Sequence, residues 1–216
     1  MRNVFSMELS RLKQELGRMA SRAQDAISFS VQAMLTGEAA LGERAIEAEK
    51  QSDASEQEVR AICMRILLEQ QPVASDLRMV SGALRVVADM ERIGDMGEDI
   101  ALLLKKARAV ELPAFDKHIA AMADCVIRMV AGSTQSFIKQ DAQLAREVCG
   151  MDDEADALFA QLKADIVDAM IECATRGQRD FAESALSSLM IAKYLERVGD
   201  HAENIAQAAL SLTSGS

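Results

Sequence analysis

The stretch Glu91–Ala101 reads ERIGDMGEDIA, and 105 residues later Glu196–Ala206 reads ERVGDHAENIA. Seven of the eleven positions are identical, and two others are Ile/Val and Asp/Asn exchanges. Packing alone constrains apolar residues, but most of these identities are polar or glycine, so the repeat points to a site as well as to a fold. Helical periodicity surrounds both copies. Leu9, Leu12, Leu16, Met19 and Ala23 recur at three- and four-residue steps and predict a helix from about Val4 to Thr36, broken by Gly37. A second helix is expected from about Ala39 to Glu69. Pro72 stands where a third can begin, because its missing N–H is unpaired in a first turn anyway. That third helix runs to about Arg108, and Glu111-Leu112-Pro113 punctuates the chain near its midpoint. The plan then repeats: about Ala114–Lys139, Asp141–Thr175 and, after a break at Gly177, Arg179–Leu212. The expected fold class is all-α, two tandem three-helix bundles over residues 1–110 and 111–216. Six long helices with short connections make antiparallel neighbours.

Composition agrees with this reading. The 216 residues include six Phe, one Tyr, no Trp and two Pro, which leaves little strand-forming material or punctuation. Twenty-four basic against 34 acidic residues give a formal charge of −10, which argues against nucleic acid as a partner. No apolar run approaches the ~18 residues needed to span a bilayer, and the opening MRNVFSMELS lacks the apolar core of a signal peptide. Cys63, Cys125, Cys149 and Cys173 show no zinc-type spacing and read as small buried hydrophobes in a reducing compartment, so a soluble cytoplasmic protein is expected.

Glu91 and Asp95 share one helix face, Asp99 continues the row, and Glu196, Asp200 and Asn204 repeat it. Each half carries a second pair upstream, Glu49 with Asp53 and Asp152 with Asp156. In so acidic a chain roughly five acid pairs at this spacing arise by chance, so spacing alone is weak and location is the better argument. Val80, Leu84 and Val87 lead into Glu91 and Asp95 on one stripe, as Ala185, Leu189 and Ala192 lead into Glu196 and Asp200. Acids that continue an apolar stripe face a neighbouring helix. Their repulsion is offset either by arginines such as Arg92 and Arg197 or by a bound cation, and by spacing the two are evenly matched. Two such pairs from two helices would gather at least four carboxylates, an all-oxygen set suited to Mg²⁺, Mn²⁺, Ca²⁺ or oxidised iron, singly or as a cluster.

Gly94 and Gly199 each precede the motif Asp, and mid-helix glycine costs about 1 kcal/mol against alanine. A close helix contact or room for a ligand would explain both. Val86, Ile93, Ile100 and Leu104 form a second apolar face, matched by Ile191, Val198, Ile205 and Ala209, where the repeats pack together or the protein dimerises. Arg78, Arg85 and Arg92 form a ridge expected to be solvated, with an acidic partner as the other reading. The Glu-x-x-His pairs of ferritin-type di-iron sites are absent, and neither His118 nor His201 follows an acid at that spacing. His201 reads as a surface residue, with a metal-edge ligand the alternative. Phosphate-binding glycine loops and nucleophile signatures are also lacking.

At these residues the sequence resembles the PhoU family of phosphate-uptake regulators. The resemblance spans nearly the whole chain: Glu8-Leu9-x-x-Leu12, the turn Gln71-Pro72-Val73-Ala74-Ser75-Asp76-Leu77-Arg78, both ER[IV]GD motifs, and the EKQSD and DDEAD segments. It implies two tandem three-helix bundles and a negative regulator of the phosphate-limitation response, not an enzyme. The partners it implies are the ATPase subunit of the phosphate ABC transporter and a membrane sensor histidine kinase. A homodimer is expected, with recruitment to the inner face of the membrane through protein partners. It also implies multinuclear iron or zinc clusters in some members, with Mg or Mn as alternatives and a metal-free form as another. Glu49, Asp53, Glu91, Asp95 and Asp99 would make one site, and Asp152, Asp156, Glu196, Asp200 and Asn204 the other. A carboxylate-ligated metal buffer or metal-dependent enzyme is the competing reading.

Overall fold

The computed structural model describes residues 2–106, 113–174 and 179–213. Six helices account for them: α1 Arg2–Thr36, α2 Ala39–Arg65, α3 Ala74–Lys106, α4 Pro113–Lys139, α5 Ala142–Ala174 and α6 Arg179–Thr213. The expected division between residues 110 and 111 and the break at Gly177 lie outside the described residues. Gly37 ends α1 with φ +72°, a left-handed conformation that favours glycine, while its N–H donates to Ala33 O. Between α4 and α5 Gln140 takes the left-handed position and Asp141 N donates to Ser136 O. The Asp141 carboxylate then accepts from the N–H groups of Gln143 and Leu144, capping α5.

The α2–α3 connection differs from its expected form. The second helix does not stay α-helical to Glu69. It passes into a π-helical turn at Ile66–Gln70, Gln71 adopts φ 46°, and α3 begins at Ala74 rather than at Pro72. The residue before a proline is pushed out of the right-handed helical region, so helix cannot run unbroken from Gln71 into Pro72.

Helices α1, α2 and α3 pack on one another, as do α4, α5 and α6, and the two bundles join through α3 on α6 and α1 on α4. One buried apolar cluster runs through both. Val86, Ile93 and Ile100 are buried, as are Ile191, Val198, Ile205 and Ala209, so the second apolar face is filled within one chain. Gly82, early in α3, lies against Phe137 of α4 and Leu212 at the end of α6, and Asp89 meets His201. Helices α3 and α6 therefore run antiparallel along this seam. Burial follows the duplication: Leu12, Leu16, Met19, Ala23 and Ile27 match Phe115, Ile119, Met122, Val126 and Val130, all buried and 103 residues apart. The offset is 103 through α2 and 105 at α3, so the second half carries two extra residues between its matching segments. Arg78, Arg85 and Arg92 are exposed, as a solvated ridge requires.

Candidate functional site

Each bundle holds one acidic cluster on its outer flank, between the second and third helices. In the first, α2 presents Glu49 and Asp53 towards Glu91, Asp95 and Glu98 of α3. Glu49 is only 6% exposed. Burial above all, then Asp53, Glu98 and Asp95, pushes its carboxyl up to about 7, and a hydrogen bond with Asp53 favours the protonated form. Burial and Asp95 raise Glu91. Burial also raises Asp95, against the opposing pull of Arg92. That guanidinium reaches Asp95 Oδ2 at 3.2 Å and Glu91 Oε2 at 3.5 Å, so the expected Arg92 brace is present.

The second cluster repeats the frame with Asp152 and Asp156 of α5 against Glu196, Asp200 and Glu203 of α6. Burial, then Glu203, Asp156 and Asp200, pushes Asp152 up to about 6. Burial and Glu196 raise Asp200, opposed by Lys193 and His201. Here the brace differs from expectation. Among the described residues Arg197 makes no ion pair. Lys193, one turn before Glu196, pairs with it while lying 5.4 Å from the Phe159 ring centroid. Lysine, with its flexible stem, follows the same helix face back to the acid.

One residue of the expected rows, Asn204, turns to the other bundle. Asp99 is exposed, as Asp53, Asp156 and Asp200 are, and raises Asp95. Asn204 is exposed on the acid side and donates from Nδ2 to Asp89 Oδ1 at 3.4 Å, across the seam. His201 shares that oxygen at 2.9 Å, so it links the bundles, while it also opposes the rise of neighbouring Asp200. Glu98 and Glu203, one residue before Asp99 and Asn204, act on Glu49 and Asp152 and join the clusters. The reason is helical pitch: at ~100° per residue a position eight on drifts by about 80°, whereas one seven on returns to within about 20°. The missed signal was in the quoted stretch, since Glu98 and Glu203 are identical and Asp99 and Asn204 are not.

Gly94 and Gly199 stand beside the buried acids. A Cβ on Gly94 would lie 3.5 Å from Ser52 Oγ and 3.9 Å from Glu49 Cγ, and one on Gly199 would lie 3.5 Å from Asp152 Oδ1. These are ordinary contacts, so helix packing alone does not require glycine there. The close approach is at Gly97, where a Cβ would meet Ala26 Cβ at 2.7 Å. The cysteines are less uniform than expected: Cys63 and Cys125 are buried, but Cys149 is half-buried and its thiol is pushed up by burial, Glu203 and Asp152. The side chain of Cys173 lies outside the described residues.

Among the described residues, no three His, Cys, Asp or Glu side chains converge tightly enough to hold a metal ion as they stand. The donor chemistry nevertheless fits a hard cation: all-oxygen, acidic, and desolvated enough to raise Glu49, Glu91, Asp95, Asp152 and Asp200. The hydroxyl oxygen of Ser52 is buried beside Glu49 without a hydrogen-bond partner. Gathering such donors needs side-chain rotation, which carboxylates on fixed helices permit.

A duplicated three-helix unit with an acidic cluster in each copy defines a class of helical tandem-repeat proteins. The PhoU domain family model matches residues 16–104 and 119–209, and the chain belongs to the PhoU family. A phosphate-specific transport system accessory protein PhoU homolog from Aquifex aeolicus is 34% identical over 213 residues, covering 96% of this chain and 92% of that one. The homolog of the same description from Clostridium acetobutylicum is 29% identical, over 99% and 96%. The crystal structure of PhoU from Pseudomonas aeruginosa superposes with a TM-score of 0.84 at 28% identity, covering 98% of this chain and all of that one.

Proposed function

We propose that this PhoU-family chain regulates phosphate uptake negatively and represses the phosphate-limitation response. It acts as an adaptor between the ATPase subunit of the phosphate ABC transporter and a membrane sensor histidine kinase. The observation that carries this reading is the family match over both halves, joined to relatives named as phosphate transport accessory proteins. Among the described residues no helix is long and apolar enough to cross a membrane, and a charge of −10 opposes binding to anionic lipid. Both support recruitment from the cytoplasm through protein partners. Association as a homodimer is supported by the exposed apolar side chains Met64, Leu68 and Val73.

The same reading gives the carboxylates a cation, iron or zinc, or Mg or Mn. Glu49, Asp53, Glu91, Asp95 and Glu98 would hold it in the first bundle, with Asp99 at the rim. Asp152, Asp156, Glu196, Asp200 and Glu203 would hold it in the second. A bound cation supplies the positive charge that offsets repulsion among acids so close together. The test is capture of the transporter ATPase and the kinase by tagged chain at high and low phosphate, together with phosphate uptake in a deletion strain. Capture at high phosphate and derepressed uptake on deletion are expected. No capture at either concentration and no phosphate phenotype would favour a metal buffer instead.

A further inference from the structure

The two clusters share a frame but not the same atoms. A Cβ on Gly94 would lie 3.7 Å from Ser52 Cβ, and a Cβ on Gly199 would lie 3.7 Å from Ala155 Cβ. Ser52 and Ala155 therefore hold the same place, 103 residues apart, as Glu49 and Asp152 do. The Gly94 space is lined by Ser52 Oγ and Glu49 Cγ, whereas the Gly199 space is lined by the Asp152 carboxylate and the methyl of Met129.

Ser52 is 1% exposed. A buried helical serine ordinarily returns its hydroxyl to the preceding turn, as Ser30 does to Ile27 O at 2.9 Å and Ser133 does to Val130 O at 3.2 Å. The neighbouring Ser55 hydroxyl instead accepts from Arg22, which also donates to Gln51 O at 2.7 Å. Ser52 Oγ does neither and is left without a partner. A buried oxygen left unpaired is costly unless something binds it. It lies beside the Glu49 side chain, on the α2 face that meets the acids of α3, and a hard cation held by those acids would satisfy it.

Resting on the reading that the carboxylates hold a cation, we propose that Ser52 Oγ is a direct neutral ligand in the first cluster. It makes that cluster the tighter of the two for a hard divalent ion, while the second, with Ala155 at this place, loads afterwards.

The test is equilibrium binding of Mn²⁺ to metal-stripped full-length chain, followed by electron paramagnetic resonance. Two classes of site are expected, the tighter surviving Asp152→Asn plus Asp200→Asn. Ser52→Ala should weaken the tighter class alone by about tenfold to a hundredfold, the range lost when even a residue supporting a metal ligand is removed. Ala155→Ser should tighten the weaker class. Ser52→Cys should give a Cd²⁺–thiolate charge-transfer band beyond the wild-type background, a signature that a packing role would not produce. Circular dichroism confirms the fold of each variant, and Ser52→Cys, nearly the same size, serves if Ser52→Ala does not fold. If wild-type chain binds no Mn²⁺, the cation reading fails and this inference falls with it. If Mn²⁺ binds but Ser52→Ala changes neither class or both alike, or if Ser52→Cys gives no added band, only the inference is overturned.

Discussion

The first and second bundles carry matching acids in unlike surroundings. The first cluster has its α2 acid almost fully buried, an arginine brace from within its own motif, and serines on the α2 face beside it. The second leaves Asp152 partly exposed, is braced by Lys193 from one turn upstream, and has the half-buried Cys149 at its edge. Duplication has thus kept the carboxylate frame and changed what packs behind it. The frame alone does not set the properties of either site. Burial depth does, since it is the leading cause of the rise of both Glu49 and Asp152.

The largest expected effect tests whether the bundles unfold as one body. Phe137 is fully buried where α4 meets Gly82 of α3 near the end of α6. Phe137→Ala should cost about 3–5 kcal/mol, lowering stability in a single urea transition monitored by circular dichroism. Two separate transitions would show that the bundles are independent.

The next effect separates the clusters by pH. Glu49 is raised from 4.5 to about 7 on folding, so between those values the folded chain binds more protons than the unfolded one. Its stability therefore falls as pH rises through that window and levels off above it. Glu49→Gln should remove up to about 3 kcal/mol of that fall. Asp152→Asn should remove a comparable fall in a lower window, between 3.8 and about 6. Urea titrations in chelator across pH 4–8 check both, and the same window for the two variants would erase the contrast in burial.

The smallest effect separates two glycines on one helix. Gly97→Ala drives a Cβ to 2.7 Å from Ala26 Cβ and 2.8 Å from its backbone carbon. It should lower stability by about 1–2 kcal/mol in thermal denaturation. Gly94→Ala meets only ordinary contacts and should hold or raise stability, by up to about 1 kcal/mol of helix propensity. It should still weaken Mn²⁺ binding by filling the space between Ser52 and Glu49.

The helices were legible because periodicity, Gly37, Pro113 and the repeat all pointed the same way. Among the described residues helix ends agreed except at Pro72, where a π-helical turn absorbed the extra chain, a detail that apolar spacing does not encode; the expected ends near Arg108 and Thr175 lie outside them. The acid rows were legible as far as Asp95 and Asp200. Beyond them a four-residue step reaches Asp99 and Asn204, and a three-residue step reaches Glu98 and Glu203, which apolar spacing does not single out. The roles of His201 and Ser52 depend on which helix lies opposite. Asp89 is 112 residues from His201, and nothing local links them.

The antiparallel seam has a consequence for reach. Because α3 and α6 run in opposite directions, the exposed apolar pair Met64 and Leu68 and its counterpart, Val167 and Ile171 at the same offset of 103, lie near opposite ends of the molecule. A helix of 33 residues measures about 50 Å. Bodies bound at the two pairs would be held about a helix length apart, so the doubled chain has the geometry of a spacer with two like tips.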